Sequence, residues 1–223
     1  MLIINYISHN QRCNTFVCQE IFVTLHTDIP TAKMNKFNKY KYLVDLTPLS
    51  DYCRKHGRLC RYAKGEAFVQ EGNVGKYFGS IETGYFKYTT ITTEGNEAVV
   101  GFAFEDECVC DFNNSYRRIP SEVSIVAGCE TTVWQVNFKE ISNYIDTIMV
   151  DLHDNISDAL FRDIYHRHLG MYRKSPTERY LELLSHHPDI FDIVTMREVA
   201  SYLLVTPVYL SRIRKKLAKK SSE

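Results

Sequence analysis

The chain has 223 residues, a formal net charge of zero, 44% hydrophobic residues and 24% charged residues. That balance describes a folded protein rather than a disordered one, with room for two small domains. No apolar run reaches membrane-spanning length, and the start lacks a basic region followed by an uninterrupted apolar core, so a cytoplasmic location without a membrane partner is expected.

The charge is unevenly spread. From Met171 onward there are ten Lys/Arg against six Asp/Glu, and the preceding residues carry the compensating negative excess. Between Val208 and Lys220 there are six basic residues and no acidic one. A basic module attached to a mildly acidic one suits a protein that touches nucleic acid with one end. The seven cysteines, Cys13, Cys18, Cys53, Cys60, Cys108, Cys110 and Cys129, form no C-x2-C pair and no tight run. They read as free, mostly reduced thiols acting as small hydrophobes, and neither a metal nor a cofactor is expected.

Residues 1–33 mix apolar residues, His, Asn and Cys without steady periodicity, and Met34 opens a cleaner region. They are either an upstream-start artefact or an appended element. A short helical region is expected from Phe37 to His56. Between Cys60 and Phe138 short strands alternate with glycine turns: Ala67–Val69, Tyr77–Ile81, Tyr85–Thr90, Ala98–Phe102, Val123–Ala127 and Thr131–Val136. This spacing predicts an antiparallel barrel, roll or sandwich over residues 34–137.

After Phe138 the period becomes helical, with no proline or glycine before Gly170. The spacing predicts one long helix over 138–170. Ile141, Ile145, Ile148 and Leu152 alternate three and four residues like a coiled-coil seam, which Ile156 continues. The seam serves either packing on its own domain or a two-fold partner; the partner is the favoured expectation. A further helix should start at Ser175-Pro176-Thr177-Glu178, where capping-box spacing meets a proline at the first helical position.

Residues 171–223 end in two short amphipathic segments. Val199, Ala200, Leu203 and Leu204 recur at helical spacing in the first. The second opens at Thr206-Pro207, a cap followed by a first-turn proline, and carries Leu210, Ile213 and Leu217. That is a helix-turn-helix pattern, whose second helix can enter the major groove of DNA. Thr195 and Arg197 can cap and approach the DNA backbone at the first helix. No catalytic constellation competes: His186-His187 beside Asp189 has no nucleophile at a defined spacing, so an enzyme is not expected.

Two segments in this order, KGEAFVQEGNVGKYFGSIETGYFKY (Lys64–Tyr88) and SPTERYLELL followed by VASYLLVTPVYLSRIRKKL, resemble the CRP/FNR family of bacterial transcriptional regulators. The resemblance covers roughly residues 40–220, and the aromatic-rich roll is similar to the variants common in Bacteroidetes. It implies an α+β fold: an N-terminal antiparallel β-roll (a double-stranded β-helix, jelly-roll-like), a long central dimerisation helix and a C-terminal winged-helix-type helix-turn-helix. Flanking strands would fall near Ile190–Thr195 and after Lys216. It also implies a homodimer on a two-fold symmetric site in double-stranded DNA, and contact with RNA polymerase.

By family correspondence the base-reading stretch is Thr206, Pro207, Val208, Ser211 and Arg212, with Arg212 suited to a guanine. Arg214, Lys215, Lys219 and Lys220 are expected to meet phosphates. The effector segment departs from the family's cyclic-nucleotide-binding members. Aligning Ser121 with their serine puts Pro120 where an arginine should grip the phosphate and Glu122 beside it, with Asp111 a short stand-in for their glutamate. Cyclic-nucleotide binding is therefore not expected. A different effector pocket would draw on Tyr85, Phe102, Asp111, Arg117, Arg118 and Ser121, although the aromatics could equally fill such a space and the arginines could be exposed loop charges.

Overall fold

The computed structural model describes residues 37–220, with the side chain of Lys220 left aside, so the expectation for residues 1–33 lies outside the described residues. A 3-10 turn at Lys39–Tyr42 precedes helix α1 (Thr47–His56), in place of the single helical region expected there. Pro48 sits in the first turn of α1, where a missing N–H costs nothing.

Eight strands follow: β1 (Arg58–Tyr62), β2 (Ala67–Val69), β3 (Tyr77–Thr83), β4 (Tyr85–Ile91), β5 (Glu97–Phe104), β6 (Cys108–Val109), β7 (Ser124–Ala127) and β8 (Thr131–Asn137). They form two four-stranded antiparallel sheets, ordered β1-β8-β3-β6 and β2-β7-β4-β5. This is the expected β-roll, with β1 and β6 added. Between the sheets lie Phe68, Ile81, Phe86, Val109, Ile125 and Val133, all buried. Gly84, at φ +83, makes the tight β3–β4 reversal; a Cβ there would meet the Glu130 carbonyl oxygen at 2.8 Å. Helix α2 (Phe112–Arg117) lies between β6 and β7.

The expected long helix is two helices, α3 (Phe138–Ile148) and α4 (Leu152–Arg173). On either side of the break at 149–151 both pieces bury residues in one cluster against the roll. Ile141, Ile145, Leu152 and Ile156 pack there with Val44, Leu49, Phe78, Phe112 and Val136. Ile148, the last residue of α3, is 66% exposed. Ile141, Ile145, Leu152 and Ile156 are therefore core of their own chain, and of the expected seam only Ile148 is left exposed. That expectation is corrected: the apolar period is real, but its burial is internal.

Four helices complete the described residues: α5 (Pro176–His186), α6 (Ile190–Ile193), α7 (Met196–Tyr202) and α8 (Pro207–Lys220). Ser175 and Glu178 form the expected capping box of α5, and Thr195 and Glu198 form a second one at α7. The strand expected near Ile190–Thr195 is the short helix α6, and no strand follows α7 among the described residues. A third cluster joins this helical module to the roll. Phe37, Tyr85, Val99, Phe102 and Phe104 share one core with Tyr180, Leu183, Ile190, Val199, Leu203, Leu210 and Ile213. No described helix is long and apolar enough to cross a membrane.

Candidate nucleic-acid interface

Helices α7 and α8 meet across a four-residue turn held by local hydrogen bonds. Leu204 N donates to the Ser201 carbonyl at 2.9 Å and Val205 N to the Ala200 carbonyl at 3.0 Å. Leu204 takes a left-handed conformation there, at φ +55. Arg179 of α5 braces the turn by donating to the Leu203 carbonyl at 3.0 Å. The Thr206 hydroxyl accepts from Tyr209 N at 3.2 Å and caps α8.

Leu210 and Ile213 fix which side of α8 faces inward. At about 100° per residue, Val208, Arg212, Lys215 and Lys219 fall within about 60° of one another, on the side opposite those anchors. All four are exposed, Val208 at 63%. Thr206 and Pro207 are exposed at the same end, and Ser211 is half-buried at the edge of the face. Arg214 stands apart from the other cations. Its guanidinium lies 4.3 Å over the Phe191 ring and points toward Met196, on the flank that α8 turns to its own module. Beside it an open groove of about 500 Å³ runs between α5 and α8, lined by Tyr180, Leu184, Met196 and Lys215 among others.

The candidate effector residues are not brought together. Tyr85 and Phe102 are fully buried in the core shared with the helix pair, and their rings already have neighbours. Asp111 accepts from the Asn114 amide at 2.9 Å, and Ser121 is buried, donating to the Val123 carbonyl at 2.8 Å. Arg117 and Arg118 are exposed at the end of α2, and Pro120 is exposed where the phosphate arginine would be needed. As a common pocket this set is corrected: its aromatics fill space, and its arginines are surface charges. The buried thiols are held protonated at neutral pH. Burial pushes Cys108 up to about 11 and raises Cys53 and Cys110 as well.

One apolar surface escaped the sequence analysis. Leu152, Ile156 and Ala159 of α4 pack in the cluster against the roll, and Asp163 is buried on the same side of the helix. Roughly 150° around the helix, Phe161, Ile164, Tyr165, His168 and Tyr172 face outward. Phe161 is 64% exposed and Tyr172 is 78% exposed. Ser157, Phe161, Ile164, His168 and Met171 keep alternating spacings of four and three, a signal present in the sequence but overshadowed by the stripe that leads into it.

No protein-family model and no curated protein matches the chain. Solved structures do. FixK2 from Bradyrhizobium japonicum superposes with a TM-score of 0.62 at 16% identity, over 74% of this chain and 86% of that one. The c-di-GMP-responsive global regulator CLP from Xanthomonas campestris gives 0.58 at 15%, over 79% and 93%. A CooA mutant from Carboxydothermus hydrogenoformans gives 0.54 at 14%, over 84% and 86%. The chain has the CRP/FNR fold. In terms of that fold the two sheets are the β-roll, α4 is the central helix, and α7–α8 is the helix-turn-helix.

Proposed function

We propose that this protein is a sequence-specific DNA-binding transcriptional regulator that acts as a homodimer. The observation that carries this is the basic, exposed face of α8, set opposite the helix's own buried anchors in a helix-turn-helix. Arg212 reads a base edge, Val208 contacts a thymine methyl, and Ser211, Thr206 and Pro207 border the same groove. Lys215 and Lys219 neutralise phosphates. The outward stripe on α4 supplies the dimer contact, because its spacing is that of a self-complementary coiled-coil seam and two heads read two half-sites. Contact with RNA polymerase at the bound promoter belongs to the same proposal and rests on the fold.

Cyclic AMP and cyclic GMP are not its effectors. Pro120 offers no donor and Glu122 repels a phosphate. Calorimetric titration tests this, and micromolar affinity for either nucleotide would overturn it. The role itself is tested by selecting bound duplexes from a random pool at two salt concentrations. A DNA reader enriches a two-fold symmetric motif and loses affinity steeply with salt. A roll that serves only as a protein-interaction module shows neither.

A further inference from the structure

The first helix of the reading pair is fastened to the roll along its length. At its start, Glu198 accepts from the Tyr85 hydroxyl at 3.2 Å and pairs with Lys87 at 3.5 Å. In its middle, the Ser201 hydroxyl accepts from Val99 N of β5 at 2.9 Å. At its end, the Tyr202 ring packs 5.6 Å from Phe102 and 5.2 Å from Phe37. Arg167 of α4 closes the joint by donating to the Val100 carbonyl at 3.0 Å and to the Tyr202 hydroxyl at 3.5 Å. Three elements, roll, central helix and reading head, meet at that one guanidinium.

Domains joined by a large apolar surface do not swing freely. A clamp that covered the reading face would hold the protein inactive. Here the outward face of α8 is uncovered; the joint is made by α7, the helix behind it, with His187 at the end of α5 packed on Phe104. The aromatic face of the roll that could otherwise take a ligand is filled by the helix pair itself. We infer that the α7–β5 seam is a mount that presets the reading head in its DNA-competent orientation without a small ligand, with Glu198 and Arg167 as positioning residues. This rests on the DNA-reading role proposed above.

Two variants of the full chain test it on the selected duplex, by fluorescence anisotropy. Val99→Cys with Ser201→Cys places two thiols across the seam, and their closure is followed by free-thiol count. Wild type treated identically controls for its own seven cysteines. The oxidised, locked protein should bind as tightly as its reduced form. Loss of binding on locking, restored by reductant, would show that the seam must open and would overturn the inference. Lys87→Glu puts a like charge against Glu198 and loosens the joint. If the competent pose is then populated about one time in ten, affinity falls about tenfold. Adding the lock to Lys87→Glu should restore it, a rescue that a general loss of stability would not give. Unchanged or improved binding by Lys87→Glu, with wider distances between spin labels on roll and head, also overturns the inference. A wild type that enriches no duplex sinks the DNA-reading role instead, before either variant is made.

Discussion

Arg214 lies over the ring of Phe191, with 4.3 Å from its guanidinium carbon to the ring centre, and this separates it from the other cations of α8. A guanidinium on an aromatic face contributes about 0.5–1 kcal/mol at an exposed site. Arg214→Ala should therefore lower stability in a urea melt by about that much while leaving the salt slope of DNA binding unchanged. Lys215→Ala should do the reverse, reducing the slope by about one phosphate contact per subunit at unchanged stability. A slope that falls equally in both variants would return Arg214 to the phosphate-binding set.

The outward stripe of α4 and the internal cluster that holds Ile145 of α3 predict opposite phenotypes. Ile164→Glu places charge in the outward stripe, so the wild type should sediment at twice 26.0 kDa and the variant at 26.0 kDa, with the monomer still folded. Ile145→Ala removes packing from the internal cluster, so it should cost about 2–5 kcal/mol of stability and leave association intact. A wild type that is monomeric both free and on DNA sinks the dimer.

What could be read from the sequence follows physical range. Strands punctuated by glycine, and the Ser175–Glu178 box, are written in contiguous residues and appear where expected. The break at 149–151 has no proline or glycine to announce it, and Ile145 and Leu152, seven residues apart, share one face and one cluster on either side of it, so the apolar period runs through the break without a mark. The same holds for Tyr85 and Phe102. The sequence allows them to line a pocket or to fill one, and only the docked helix pair reveals that the space before them is taken. In α8 the periodicity separated anchors from exposed cations correctly, yet Arg214, one turn after Leu210, needed the position of Phe191 to be told from Lys215.

Leu204 sits in the left-handed region at φ +55 while 62% exposed, so its side chain is strained without compensating burial. For a residue with a Cβ that conformation costs about 1–2 kcal/mol. Leu204→Gly should raise the unfolding free energy by up to about 1 kcal/mol after the greater freedom of glycine in the unfolded chain is counted. Leu204→Val, branched at Cβ, should lower it. Urea midpoints at constant slope decide the matter, and a destabilised glycine variant would mean that Leu204 makes a contact in solution.

His187 predicts a pH dependence. Partial burial, with its ring 4.7 Å from that of Phe104, holds it below its ordinary value, against an upward pull from Asp189. The unfolded chain then binds the proton more readily than the native one. This contribution is fully present above the ordinary histidine value of about 6.5 and is lost as pH falls through the window below it. The drop in urea midpoint between about pH 7.5 and about pH 5.5 should be smaller in His187→Gln than in wild type. An equal drop would assign the effect to other groups.

Arg212 carries the sharpest expectation for sequence discrimination. It shares its exposed face with Lys215, and the two lie about 60° apart around the helix axis, so general electrostatics cannot tell them apart. Chemistry can. A guanidinium forks onto the two acceptors of a guanine, whereas an ammonium meets a phosphate as a point charge. Arg212→Ala should therefore remove about 1–3 kcal/mol of discrimination at one base pair in each half-site, leaving preferences elsewhere in the motif intact. Arg212→Lys should keep most of the affinity and lose part of that discrimination. Repeating the random-pool selection with each variant reads this directly as the information content at every position. A motif unchanged in Arg212→Ala would move the base-reading role to another residue of the face, and Val208 would be the next to replace.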